Sequence, residues 1–171
     1  MPYSIVKVRS ALFTILLLTL LNIKVVAKPD SSSSIVSHFL VKDEYGKTMD
    51  VAAQKGKVIF INFWALTCIP CKTEMPTINR LHNHFKADTN VLILTIDLDN
   101  TLPISTQYMK DKGFDLHVYR SASVVPEALF HGELPTTVII DKQGEIVLFK
   151  EGEDDYGSKK FFDYIDKLSA P

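Results

Sequence analysis

Residues 60–76 read FINFWALTCIPCKTEMP and contain both cysteines of this 171-residue chain, Cys68 and Cys71. A run of apolar and β-branched residues precedes the pair, and the apolar residues that follow it recur with a helical period. The stretch therefore predicts a buried β-strand that leads directly into an α-helix, with the two cysteines at the junction. A strand that passes at once into a helix is the first half of a βαβ unit, so this segment indicates an α/β fold.

Two cysteines separated by two residues can hold a metal, close a structural disulfide, or cycle between dithiol and disulfide. A structural zinc site needs four ligands, and the chain has no third cysteine. His82 and His84 lie more than two helical turns beyond Cys71, too far to complete a tetrahedral site with it. A structural disulfide across so short a loop would add little stability, because the entropic gain grows with loop length. The spacing favours a redox-active pair, and a structural disulfide stays the alternative.

The predicted helix start gives the two cysteines different roles. The first turn of a helix leaves backbone N–H groups unpaired, and the helix dipole favours negative charge there. Cys68 occupies that position, so we expect it to be the thiolate that attacks a disulfide. Cys71, one turn later, would resolve the resulting mixed disulfide. Pro70 fits the first helical turn, where its missing N–H costs nothing.

The rest of the chain continues the alternation of strands and helices. The apolar run at residues 91–97 predicts a second buried strand, and residues 104–114 predict a helix that ends near Gly113. Residues 134–150 predict two antiparallel strands joined by a turn, and an amphipathic helix begins near Ser158. This βαβ unit followed by ββα predicts a sheet of mixed direction with helices on both of its faces.

The N-terminus has a different composition from the rest of the chain. Within residues 1–27, Lys7 and Arg9 precede an apolar run that is too short to span a bilayer comfortably. This pattern predicts a signal peptide of an exported protein, with an uncleaved N-terminal anchor as the alternative. Residues 28–34, KPDSSSS, predict a flexible linker, which leaves residues 35–171 as one domain.

The charge of the chain excludes some classes of partner. Beyond residue 27 the chain has 16 basic and 20 acidic residues, a formal charge of −4. A mildly acidic, mixed surface provides no electrostatic attraction for nucleic acid or anionic lipid. We therefore expect no nucleic-acid partner. From the ligand count above we expect no bound metal. We also expect no other cofactor and a monomeric protein.

Two segments together, FINFWALTCIPCKTEMP at residues 60–76 and LPTTVIIDKQGEIV at residues 134–147, resemble the thioredoxin-like thiol-disulfide oxidoreductases of the TlpA/ResA type. The resemblance covers roughly residues 39–168. It implies an α/β thioredoxin fold, in which a central mixed sheet is flanked by helices. It also implies an N-terminal β-hairpin at residues 39–49 and a central insertion at residues 99–119.

The resemblance also implies a function and partners. Members of this family are exported or membrane-tethered, and they reduce disulfides of proteins outside the cytoplasm, in the periplasm or cell envelope. They often prepare apocytochrome c for haem attachment, and they draw electrons from a membrane thiol transporter of the CcdA/DsbD kind. Their only redox group is the cysteine pair, which corresponds to Cys68 and Cys71 here.

Two further site positions follow from the resemblance. Pro135, flanked by Leu134 and Thr136, matches the family's cis-proline, which lies beside the active cysteines and leaves neighbouring backbone to pair with the substrate. Glu74 matches an acid that the reductases of this family hold near the disulfide. Partial burial would raise the pKa of this carboxyl group, which could then exchange the proton of the Cys71 thiol.

Three positions near the cysteines distinguish this chain or support its site. Asn62 stands where many thioredoxins have a buried acid, so proton handling would depend on Glu74. Trp64 matches an aromatic residue near the family's site, although packing in the core explains it equally well. Thr67 is a departure, because the family usually has tryptophan before the first cysteine. A smaller polar residue there makes the site more open and puts the substrate in doubt.

Three functions stay open on these grounds. The resemblance favours a disulfide reductase of the cell envelope. A thioredoxin-fold binding or assembly module would use the surface around Pro135 and leave the dithiol incidental. A net disulfide oxidant would use the same two cysteines with a less stable disulfide.

Overall fold

The computed structural model describes residues 38–170. The predicted signal peptide and the linker at residues 28–34 lie outside the described residues. Within the described range the chain forms seven strands, three α-helices and two short 3-10 turns. Their bounds are β1 Leu40–Asp43, β2 Thr48–Asp50, a 3-10 turn Ala52–Gln54, β3 Val58–Trp64, α1 Ile69–Phe85, β4 Val91–Asp97, α2 Leu102–Asp111, β5 Val118–Ser121, a 3-10 turn Glu127–Leu129, β6 Thr136–Ile140, β7 Ile146–Glu151 and α3 Lys159–Ser169.

The strands form one mixed sheet in the order β2-β1-β5-β4-β3-β6-β7. β3, β4 and β5 are parallel, and the hairpins β1-β2 and β6-β7 add antiparallel strands at the two edges. β3 is therefore an interior strand, with parallel β4 on one side and antiparallel β6 on the other. This confirms the thioredoxin fold, with an N-terminal hairpin at β1-β2 and α2-β5 as the central insertion.

All three α-helices pack on the same face of the sheet. The chain moves from β3 through α1 to β4, and then through α2 to β5, always in one direction across the sheet. Crossovers of this kind are right-handed in nearly all proteins, so both helices fall on one face. The buried apolar residues of α3 belong to the same core.

The two faces of β3 divide the protein into two cores. Val58, Phe60 and Trp64 point toward the three α-helices, whereas Ile59, Ile61 and Phe63 belong to the other core. Within residues 38–170 that second face has no α-helix. That face is covered instead by Phe39, by Val51, and by Leu129 of the 3-10 turn Glu127–Leu129. The expectation of helices on both faces is therefore wrong for the α-helices.

Every residue of β3 is buried, as the sequence of residues 58–64 indicates. The strand ends at Trp64, and only four residues separate it from the first residue of α1. The cysteines are thus held close to the carboxyl end of β3, an interior strand. Within the described residues, no helix is both long and apolar enough to cross a membrane.

Candidate active site

The two cysteines form a disulfide at the N-terminus of α1. Cys68 is the N-cap residue, and the backbone N–H of Cys71 donates a hydrogen bond to its sulfur at 3.2 Å. Pro70 lies in the first turn, as the sequence indicates. Cys68 is half-buried and Cys71 is fully buried, so only the first sulfur is open to a partner.

The central insertion supports the loop that leads to Cys68. The backbone N–H of Leu66 donates to Oδ2 of Asp99 at 2.9 Å, and the N–H of Leu98 donates to the carbonyl of Trp64 at 3.0 Å. The loop also closes on itself through a bond from the Cys68 N–H to the Ala65 carbonyl at 3.1 Å. Asp99 therefore fixes the approach to the first cysteine.

A buried carboxylate, Asp97, organises the start of the insertion. Its oxygens accept bonds from the backbone N–H groups of Asp99 and Thr101 at 2.8 and 2.9 Å, and from the Ser105 hydroxyl at 2.7 Å. Sequence reasoning identified neither Asp97 nor Asp99. The signal was present, because polar residues at the end of a strand parallel to β3 lie at the same edge of the sheet as the cysteines.

Glu74 is buried, with 2% of its surface exposed, although it lies on the first turns of a surface helix. One carboxyl oxygen accepts a bond from Nδ2 of Asn62 at 2.7 Å, and the other accepts from the backbone N–H of Asp154 at 3.2 Å. Burial raises the pKa of Glu74 to about 7, the two hydrogen bonds lower it, and the charges of Glu153 and Asp154 raise it further. This carboxyl group can accept or release a proton near neutral pH.

Asn62 connects three elements beneath the site. It is fully buried in β3, and its Nδ2 donates both to Glu74 of α1 and to the Thr137 hydroxyl of β6, the latter at 3.0 Å. Its Oδ1 has no hydrogen-bond partner among the described residues. Nothing in the sequence indicates Thr137 as a partner, because the contact spans 75 positions of the chain.

The acidic segment before α3, residues 151–155, contacts Glu74. Residues 151–155 are exposed. The backbone of Asp154 nevertheless contacts Glu74, and the Tyr156 N–H donates to the Thr77 hydroxyl at 3.1 Å. Together with Thr73, Glu74 and Thr77, residues 153–155 line an acidic pocket on one flank of α1.

The loop before β6 contains the predicted cis-proline. The Leu134–Pro135 peptide bond is cis, as the resemblance implies. Pro135 is buried, and its carbonyl accepts a bond from the Gly152 N–H at 2.9 Å. Thr136 is also buried and lies opposite Phe63 of β3. The loop is thereby fixed to both β3 and the end of β7.

The structure brings several of the predicted site residues together and leaves others at the surface. Cys68 and Leu134 both pack against the core that contains Cys71 and Trp64. Trp64 is fully buried, and its ring centroid lies 5.9 Å from that of Tyr108, so it has a packing role. Thr67 and Pro70 are exposed beside Cys68. The chemical roles of all the site residues stay predictions.

His82 and His84 lie in the last turn of α1, whereas the cysteines lie at its start. His82 is near His117, with ring centroids 6.4 Å apart, on a part of α1 distant in sequence from the cysteines. Within residues 38–170, no group of three or more His, Cys, Asp or Glu side chains is arranged to hold a metal ion.

The model of the AhpC/TSA family matches residues 34–149 of the chain. A thiol-disulfide oxidoreductase ResA of Bacillus cereus is 34% identical over 112 residues, which cover 64% of this chain and 64% of that protein. The ResA protein of Bacillus thuringiensis subsp. konkukian is 30% identical over 142 residues, which cover 77% of this chain and 75% of that protein. The chain thus spans slightly less than two thirds of the first relative.

A solved structure shares the fold. The thiol:disulfide interchange protein of the thioredoxin family from Chlorobium tepidum TLS superposes with a TM-score of 0.61. The superposition covers 78% of this chain and 95% of that one, at 23% identity. Since the family model matches most of the chain and ResA proteins match it at 30% identity or more, the chain belongs to the AhpC/TSA family and, within it, to the thiol-disulfide oxidoreductases of the ResA type.

Proposed function

We propose that this chain is an exported thiol-disulfide oxidoreductase that acts mainly as a disulfide reductase through Cys68 and Cys71. The observation that carries the proposal is the unequal placement of the two sulfurs at the start of α1. Cys68 is partly accessible at the N-cap, where the helix favours a thiolate, and Cys71 is buried one turn later. An accessible attacking sulfur and a protected resolving sulfur suit thiol-disulfide exchange, and the family resemblance favours the reductive direction.

The reaction begins with the dithiol form. The Cys68 thiolate attacks one sulfur of the substrate disulfide, which forms a mixed disulfide and releases one substrate thiolate. The Cys71 thiolate then attacks the Cys68 sulfur, which releases the second substrate thiolate and closes the Cys68–Cys71 disulfide. Two electrons pass to the substrate, and its two thiolates take up protons. An external dithiol must then reduce the disulfide again.

Glu74 is proposed to handle the proton of Cys71. The two residues are three apart on α1, so their side chains leave the same face of the helix. A pKa of about 7 lets the carboxylate accept the thiol proton as Cys71 becomes a nucleophile. Asn62 would position the carboxyl group. We further propose that the loop of Leu134, Pro135 and Thr136 binds the substrate backbone beside Cys68.

The remaining assignments depend on the family resemblance. We propose that residues 1–27 are a signal peptide or anchor, that residues 28–34 are a linker, and that residues 35–171 act in the periplasm or cell envelope as a monomer. A membrane thiol transporter would supply electrons, and no bound cofactor or metal is required. The substrate is a disulfide-containing protein, and cytochrome c maturation is the pathway that the resemblance favours.

Cysteine variants test this proposal. The reduced protein should reduce a model disulfide, and Cys68→Ser should abolish the reaction. Cys71→Ser should retain the first step and accumulate a mixed disulfide through Cys68, from which the physiological partner can be identified by mass spectrometry. A Cys68→Ser variant with full activity would contradict the mechanism.

The redox potential of the cysteine pair distinguishes a reductase from an oxidant. Equilibration with glutathione or dithiothreitol gives the potential of the cysteine pair. A value of about −250 mV or below suits a reductase, whereas a value of about −120 mV suits an oxidant. If a variant with both cysteines replaced by serine restores every phenotype of a deletion strain, the protein is a binding module instead.

A further inference from the structure

A groove on α1 adjoins the acidic pocket, and the charge of its lining has the opposite sign. It has a volume of about 400 Å³ and runs between α1 and the central insertion. Its apolar lining comprises Ile69 and Pro76 of α1, Tyr108 of α2, and Phe114, which follows α2. Ile69 directly follows Cys68 and is 73% exposed, and together with the other apolar residues of the lining it forms one apolar surface beside the first cysteine.

The polar lining of this groove is basic. Lys72 and Lys112 stand on its two sides, and no acidic residue is among the described residues that line it. Lys112 Nζ lies 5.9 Å from the centroid of the Tyr108 ring, which also lines the groove, so its charge lies beside the apolar lining. The groove therefore combines an apolar floor with positive charge.

The neighbouring pocket has the opposite charge. Thr73 lines both cavities, so the two meet on the exposed face of α1 within two turns of Cys68. Across Thr73 from the groove, the acidic pocket presents the negative charges of Glu153 and Asp154, whereas Asp155 is paired with Arg80 at 3.1 Å. Because the charge changes sign across α1, a chain that approaches Cys68 experiences attraction or repulsion that depends on its own charges.

We propose that this groove binds the segment flanking the disulfide of the substrate protein, and that it selects a segment with an apolar side chain next to acidic residues. The apolar side chain would rest on Ile69 and Phe114, and the acidic residues would pair with Lys72 and Lys112. This inference rests on the proposed reductase function and names the class of its substrate. The acidic pocket repels the same segment, which fixes its direction across α1.

The step that the groove assists is the first disulfide exchange. The Cys68 thiolate attacks a substrate sulfur, a mixed disulfide forms, and one substrate thiolate leaves. Cys71 then releases the second thiolate, so the substrate gains two electrons from the protein. Docking of the substrate segment in the groove raises the rate of the first attack. The number of electrons transferred to the substrate stays the same.

Peptides with an internal disulfide test the selection. Three probes share a Cys-Ala-Ala-Cys disulfide and carry Phe-Asp-Glu, Phe-Lys-Lys or Ser-Asp-Glu beside it. Each is mixed with pre-reduced protein at low salt, and the second-order rate constant is divided by that for neutral bis(2-hydroxyethyl) disulfide. The Phe-Asp-Glu probe should react at least fivefold faster than either other probe on this scale. The advantage over the Phe-Lys-Lys probe should shrink several-fold at 500 mM salt, roughly as expected when the screening length falls below 5 Å.

Charge reversal identifies the residues responsible. The Lys72→Glu/Lys112→Glu variant should reverse the preference between the acidic and basic probes. Lys112→Glu alone should weaken the preference for the acidic probe, whereas Lys110→Glu, a single charge reversal of equal size on α2 outside this groove, should leave the preference unchanged. Ile69→Ser should abolish the preference for phenylalanine over serine and keep the preference for acidic flanks.

The outcomes separate this inference from the proposed function. A wild-type protein that reduces the neutral disulfide but does not distinguish the probes overturns the groove assignment and leaves the reductase intact. Retention of the acidic preference in the Lys72→Glu/Lys112→Glu variant also overturns it. A wild-type protein that reduces neither the probes nor the neutral disulfide contradicts the reductase function itself.

Discussion

At the residue scale, Glu74 links the pH to both stability and chemistry. Its pKa is raised by burial from 4.5 to about 7 in the folded protein. The folded state therefore binds a proton more tightly than the unfolded state does. The stabilisation that comes from tighter proton binding by Glu74 in the folded state is fully present below about pH 4.5. It is lost as the pH rises through about 7.

Glu74→Gln should remove this dependence. The wild-type free energy of unfolding should fall by about 3 kcal/mol between pH 4.5 and 8 through this group, since one pKa unit corresponds to about 1.4 kcal/mol. The variant should lack that fall, and the pH profile of its cysteine titration should also shift. Urea unfolding at several pH values and thiol alkylation rates measure the two effects. Glu145→Gln, an exposed change in the turn between β6 and β7, is the control, and identical profiles in wild type and Glu74→Gln would contradict the role.

Asn62 should tune the same carboxyl group. Its Nδ2 donates to the ionised form of Glu74 and thereby lowers the pKa that burial raises. Asn62→Leu removes this donor without adding charge, so the pKa of Glu74 should rise above about 7. Carbon-13 NMR of the labelled carboxyl group measures the titration directly. Asn83→Leu, an exposed change on α1, should leave it unaltered, and a lowered pKa in Asn62→Leu would show that another group controls Glu74.

The sequence identifies some residues of the hydrogen-bond network around Glu74 and not others. Glu74 and Asn62 belong to a local pattern around the cysteines, so resemblance to a family identifies both. Thr137 and Asp154 contact them across 75 and 80 positions of the chain. No local periodicity encodes such contacts, because they depend on how β6 and the segment before α3 return to β3. The burial of Glu74 has the same cause.

At the element scale, the junction of β3 and α1 was predictable because two signals coincide there. The apolar run of β3 changes to a helical period at the cysteines, and Pro70 marks the first turn. The placement of α1, α2 and α3 on one face was not predictable in the same way. It depends on the order of strands in the sheet, which follows from the path of the chain through β5 and β6.

The insertion should control the loop before Cys68 through Asp99. Asp99→Ala removes the acceptor of the Leu66 N–H bond, which should cost about 1 kcal/mol of stability and increase hydrogen exchange at Leu66 several-fold. Asp88→Ala removes a comparable side-chain bond to the Asn90 N–H, in the turn after α1, and is the matched control. Exchange at Leu66 measured by NMR tests the prediction. Protection at Leu66 that is equal in both variants would show that Asp99 does not hold the loop.

At the scale of the whole molecule, the two cores should unfold together because β3 contributes to both. Phe60 points into the helix side and contacts Tyr156 with ring centroids 5.1 Å apart, whereas Phe63 points into the opposite core and contacts Phe130 at 5.3 Å. Phe60 and Phe63 are both fully buried. A strand that is buried on both faces cannot leave one core without disrupting the other.

We therefore expect that Phe60→Leu and Phe63→Leu each lower the stability of the whole domain, which still unfolds in one cooperative transition. Each should reduce the free energy of unfolding by about 1 to 2 kcal/mol, since part of the apolar volume is kept. Urea unfolding of residues 35–171 is followed by fluorescence of Trp64, the only tryptophan and a member of the helix-side core, and by far-UV circular dichroism of the whole sheet. The two signals should coincide in wild type and in both variants. A Phe63→Leu protein in which the dichroism changes before the fluorescence would show that the opposite core unfolds by itself.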